Sequence, residues 1–118
     1  MITEDQIPRA AADERRTAQA FLGKLRDRYD VAQMIMFGSR ARGDHGPDSD
    51  LDLAVVLRGR RGDFIDTKLD MAGIAFDVMM ETGVMVQGLP LWETELARPE
   101  TFTNPALINN ILREGVHL

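Results

Sequence analysis

The 118-residue chain has no cysteine and holds only one tryptophan, one tyrosine and two histidines. Lack of cysteine excludes a disulfide framework and a thiolate zinc site. His45 and His117 lie far apart without a ligand-spaced partner and read as ordinary surface residues. No apolar run approaches the roughly 20 residues that cross a bilayer. The opening M-I-T-E-D-Q-I-P-R is acidic and lacks the apolar stretch of a secretory signal, so a cytoplasmic location without a membrane span is expected. Positive charge is also short: 14 Lys and Arg stand against 19 Asp and Glu, a net charge of −5. Such a surface repels a nucleic-acid backbone, and no stand-alone nucleic-acid binding is expected. There is no internal repeat, low-complexity tract or long linker. What is there is an ordinary globular apolar fraction of 44% and the length of one domain, expected to span 1–118.

Periodicity supplies the elements. Ala18, Phe21, Leu22, Leu25 and Tyr29 form an amphipathic stripe, predicting a helix that starts near Asp13 as N-cap. V31-A-Q-M-I-M-F37, stopped by Gly38, predicts a buried strand, and a short helix follows over 39–42, closed by Gly43. Residues 44–49, D-H-G-P-D-S, are turn chemistry. D50-L-D-L-A-V-V-L57 predicts a second strand. Phe64, Ile65, Lys68, Leu69 and Ala72 fit a short helix ended by Gly73, after which I74-A-F-D-V-M-M80 predicts a third, apolar strand with Asp77 in its middle. Met34, Met36, Met79 and Met80 are then core filling. An edge strand over 84–91, a helical turn over 94–98 and a last helix over 105–113, capped by Asn104, complete the order. Leu91 and Trp92 are either core or an exposed contact. The fold class is α/β (α+β): a small mixed β-sheet flanked by helices.

The chemistry concentrates between Gly38 and Asp52. A Gly-Ser turn that opens a helix offers N–H groups and a positive dipole end to an anion. Ten residues after Ser39 stands Asp50-Leu51-Asp52. On a strand, period-2 alternation puts both carboxylates on one face about 6.5–7 Å apart at Cα, where they can share Mg²⁺, while Leu51 and Leu53 face the core. Asp77, alone in an apolar run, is costly to bury uncompensated. It is salt-bridged to Arg40 or Arg42, or lies at a strand end wetter than it looks, or is a third carboxylate converging on one or two metal ions. Gly38 to Gly43 lacks the Lys-Ser/Thr of a Walker loop. The Arg58–Arg61 cluster reads as a solvated loop, with contact to nucleic acid or a partner as the other possibility.

Gly38-Ser39, ten intervening residues, Asp50-Leu51-Asp52 and a later Asp77 resemble the signature of the DNA polymerase β-like nucleotidyltransferase superfamily in its minimal (MNT) form. The resemblance covers most of the chain. It implies a polymerase β-like fold in which Asp50, Asp52 and Asp77 bind divalent metal, two Mg²⁺ or Mn²⁺ ions, and Gly38 and Ser39 hold the triphosphate of ATP. One ion, bridged by all three aspartates, would activate the acceptor hydroxyl, and the other would hold the leaving phosphates. Asp77 would double as general base. Arg40 and Arg42 are candidates to neutralise the pyrophosphate, or are merely solvated.

Larger relatives carry acceptor-binding domains, and this sequence shows none. Minimal relatives typically accompany a helical HEPN protein. The implied function is AMP transfer from ATP to a tyrosine of a HEPN toxin partner, in a toxin-antitoxin pair that forms a hetero-oligomer. The alternatives are a non-catalytic antitoxin acting by contact and a transferase acting on an aminoglycoside-like small molecule.

Overall fold

The computed structural model describes residues 12–44, 46 and 48–118; His45 and the opening residues lie outside them. Helix α1 spans Ala12–Leu25 and strand β1 Val31–Phe37. Helix α2 covers Gly38–Arg42, β2 Leu51–Leu57 and the long α3 Phe64–Thr82. Strand β3 runs Val86–Trp92, followed by α4 Glu93–Ala97, a 3₁₀ turn at Pro99–Thr101, α5 Pro105–Glu114 and the two-residue β4 Val116–His117.

The sheet has the order β3-β2-β1-β4. β1 pairs antiparallel with β2 and β4, while β2 and β3 run parallel, so the sheet is mixed as expected. Alternation along β2 sorts its residues into two layers. Leu51, Leu53, Val55 and Leu57 pack with Phe21, Leu25, Met71 and Val78 of α1 and α3. Ala54 and Val56 pack on the other face with Ile108 and Ile111 of α5, Phe102, Ile35 and Leu91. Leu91 and Trp92 are therefore core. β3 comes close under α1: a Cβ on Gly88 would lie 3.0 Å from the Phe21 ring, tight enough that the ring would have to give way to a larger residue.

One expected element is overturned. The strand over 74–80 does not exist, because α3 passes through Gly73 and stops only at Gly83, whose φ of +78° ends the helix. A glycine inside a helix costs about 1 kcal/mol, which nineteen residues of packing easily offset. The periodicity misled because α3 is apolar on two faces. Thr67, Met71, Ile74, Ala75 and Val78 form the buried stripe. The residues expected to pack lie outward, with Ile65, Leu69, Phe76 and Met80 at 63, 66, 54 and 71% exposure. Met80 is thus no core filler. At the start, Asp13 sits in the first turn of α1 and not at its cap. The end is as read: Asn104 caps α5 by accepting from the Leu107 N–H at 3.3 Å. His117, expected on the surface, lies in β4 with its Nε2 buried and without a partner.

The Arg58–Arg61 loop is partly tied down. Arg58 bonds Asp30 at 3.0 Å, and Arg61 bonds the buried Glu95 at 3.0 Å while lying over the Phe64 ring. Between α1 and α3, Tyr29 Oη and Arg28 both donate to Asp70. Burial, and then the bond and charge of Asp70, push the Tyr29 phenol up to about 12. The protonated phenol thus contributes stability that is complete below its unfolded value near 10 and lost as pH rises through about 12. Tyr29 is the only tyrosine, so ultraviolet titration reads it alone. We expect a phenolate midpoint near 12, moving down toward 10 in Asp70→Asn.

Candidate active site

The antiparallel register of β1 and β2 brings Phe37, the residue before Gly38, opposite Asp52. The backbone turns out of β1 at Gly38 with φ +74°, a conformation that glycine adopts without penalty. The fit is close: a Cβ on Gly38 would stand 2.3 Å from Asp52 Oδ2. The Gly-Ser turn and the second aspartate are therefore one site, built by strand pairing. Asp50 lies just before β2 and is exposed, whereas Asp52 is half-buried on the α5 side of the sheet. Beside Gly38, a cleft of about 170 Å³ opens towards α5, lined by Arg42, Asn110 and Glu114 among others.

The two arginines differ. Arg40 donates through Nε and Nη2 to the Ser49 carbonyl, at 3.0 and 2.7 Å, clipping α2 to the segment that delivers Asp50. Its role in the structure is to position that segment. Arg42 bonds Asp44 at 3.2 Å, approaches Glu114 at 3.8 Å, and faces the cleft with its charge acting on Asp52.

Asp77 does not join the pair. It stands on α3 and lines a cavity of about 430 Å³ with Lys24, Asp27, Arg28, Asp70, Gly73 and Ile74. Among the described residues no three His, Cys, Asp or Glu side chains lie together in a metal-holding group. The expected meeting of Asp50, Asp52 and Asp77 is therefore not seen among the described residues: Asp77 stands on α3, because the strand that was to carry it is part of that helix. The third place is occupied by a residue that sequence reasoning passed over. Gln87 of β3 is the register partner of Asp52 across the parallel ladder, and its Nε2 donates to Asp50 Oδ2 at 3.2 Å. Its signal was the single polar position inside V86-Q-G-L-P-L-W92. Lys68 of α3 was missed too. It donates to the Gly88 carbonyl at 3.2 Å, and its charge reaches Asp52.

Two carboxylates and one amide fit a single Mg²⁺ or Mn²⁺, an ion that protein sites often hold through one or two carboxylates plus substrate phosphates. Burial first, and then the charge of Asp50, raise the Asp52 carboxyl above the ordinary carboxylate range, with Arg42 and Lys68 opposing. The ionised form is thus disfavoured by the fold, and stability from this group rises as pH falls through its raised native value toward the unfolded one near 3.9. Asp52→Asn should melt at the same or a higher temperature than the parent at pH 7, with the advantage shrinking towards pH 4, as calorimetry at the two pH values would show.

Comparison with known proteins agrees with this architecture. The sequence profile of the nucleotidyltransferase domain family matches residues 18–115, which include α2, β2 and β3. No curated protein matches the chain. Among solved structures, a candidate nucleotidyltransferase from Sulfolobus solfataricus superposes with a TM-score of 0.54 at 24% identity, over 79% of this chain and 83% of that one. The likeness is one of fold. With the profile running from α1 to the end of α5, the chain belongs to the nucleotidyltransferase domain family.

Proposed function

We propose that this chain transfers AMP from ATP to a hydroxyl on a protein partner, with Asp50 and Asp52 as metal-binding carboxylates and Gly38-Ser39 as the triphosphate cradle. The observation that carries this reading is the contact between the Gly38 backbone and the Asp52 carboxylate, which leaves no room for a side chain. Nucleotide phosphates laid along Gly38 and Ser39 would have their cation beside Asp52. A divalent ion there, Mg²⁺ or Mn²⁺, supplies charge neutralisation at the α-phosphate and the leaving pyrophosphate. Asp50 and Asp52 hold that charge in place, and Arg42, at the mouth of the cleft, faces the departing phosphates.

A protein acceptor is supported by the α3 surface. Ile65, Leu69, Phe76 and Met80 expose an apolar stripe along one helix, the kind of patch that marks an interaction face. A cavity of about 360 Å³ between this stripe and β3 is lined by Gln87 as well. The patch therefore borders the residue that touches Asp50. By resemblance the acceptor is a tyrosine of a HEPN toxin, and the two chains form a hetero-oligomer in the cytoplasm. A second reading, neutralisation of the partner by contact without transfer, is favoured by the loss of Asp77 from the carboxylate group.

Co-expression with a HEPN protein and incubation with α-³²P-ATP separates the readings. Transfer predicts label on a tyrosine of the partner, lost in the Asp50→Ala, Asp52→Ala double variant. A stable complex without label would establish the contact reading, and label on an aminoglycoside alone would overturn the protein acceptor.

A further inference from the structure

The β2–β3 ladder places an uncharged residue where the carboxylate pair would otherwise gain a third anion. Asp52 and Gln87 are register partners, so their side chains emerge side by side from the same sheet face. Leu89 and Leu91, two and four residues on, pack into the α5 layer, which fixes that face as the one carrying Asp50 and Asp52. The Gln87 amide reaches back to Asp50 Oδ2 at 3.2 Å. A donor in that position favours a carboxylate pair that stays ordered without a cation between its oxygens.

We propose that Gln87 is a positioning residue that makes cation binding conditional on the nucleotide. The inference rests on the reading of Asp50 and Asp52 as the metal-binding pair. With an amide in the third place, the protein contributes two negative charges and a neutral side chain. That is a shell too weak to strip water from a divalent ion alone, and it is completed when phosphate oxygens arrive with the ion. Gln87 keeps Asp50 aligned meanwhile. Being exposed at the sheet edge, it can be replaced without opening the core. A carboxylate at this position would add a third charge and make the ion a resident of the free protein.

The test is Mn²⁺ binding to the full chain, followed by electron paramagnetic resonance with and without a non-hydrolysable ATP analogue. The parent should bind Mn²⁺ weakly alone and at least about tenfold more tightly with the analogue. Gln87→Asp or Gln87→Glu should bind Mn²⁺ alone at least about tenfold more tightly than the parent. Gln87→Leu should keep the fold, seen as an unchanged melting temperature, and lose alignment of Asp50, seen as weaker Mn²⁺ binding in the presence of the analogue. Tight Mn²⁺ binding by the free parent overturns the proposal, as does unchanged affinity in both acidic variants. The arms with Mn²⁺ alone do not involve nucleotide. A parent that binds no analogue while the acidic variants gain Mn²⁺ therefore overturns the nucleotide reading together with the nucleotide-conditional role of Gln87, whereas a parent that binds the analogue with no gain in Mn²⁺ affinity overturns the role of Gln87 alone.

Discussion

Everything at the candidate site depends on one close approach, that of the Gly38 backbone to the Asp52 carboxylate. It is set by the pairing of β1 with β2, since Phe37 and Asp52 face each other across the ladder and Gly38 is the next residue out. Any side chain at 38 would collide with Oδ2, and the positive φ there is unfavourable for every other residue type. The remaining parts of the site are accessories to this contact. Arg40 holds the Ser49 carbonyl so that the chain re-enters the sheet at Asp50, and α5 walls the far side of the cleft.

The site also stores an electrostatic conflict. Asp52 is raised by burial and by Asp50, and the cations near it, Arg42 and Lys68, offset this only in part. Natural folds keep such unfavourable charge mainly where a ligand relieves it, and a divalent ion would do so directly. The conflict is milder than three converging aspartates would make it, because Gln87 is neutral. Its amide turns a repulsive neighbourhood into a hydrogen-bonded one while adding no charge.

Much of the architecture is legible in the sequence because the signals are local. β1 and the capped α5 follow from apolar runs bounded by Gly38, Gly43, Asn104 and Gly115. The face of Asp52 follows from period-2 alternation in β2, whereas Asp50 lies just before the strand, on the segment that Arg40 holds. α3 was misjudged because its residues are apolar on two faces. Gly73 reads as a stop and residues 74–80, six of them apolar around Asp77, read as a strand, although Asp66, Asp70, Asp77 and Glu81 recur at the spacing of a helix's polar stripe. Because residues 74–80 are helical, Asp77 stands beside Lys24 of α1 and not beside Asp50. Gln87 was unreadable for a different reason: its role depends on which residue of β2 it faces, and parallel register is a long-range property that neither strand encodes by itself. The outward stripe of α3 is the complementary case, since apolar residues imply burial, whereas Ile65, Leu69, Phe76 and Met80 are exposed.

Where a cation and a triphosphate settle decides the assignment of the site. The most direct measurement is a crystal structure of the full chain with Mn²⁺ and a non-hydrolysable ATP analogue, with the metal located by anomalous scattering. We expect Mn²⁺ between Asp50 and Asp52, with the triphosphate along Gly38 and Ser39. Mn²⁺ in the cavity of Asp70 and Asp77, or a triphosphate bound away from Gly38, would contradict it.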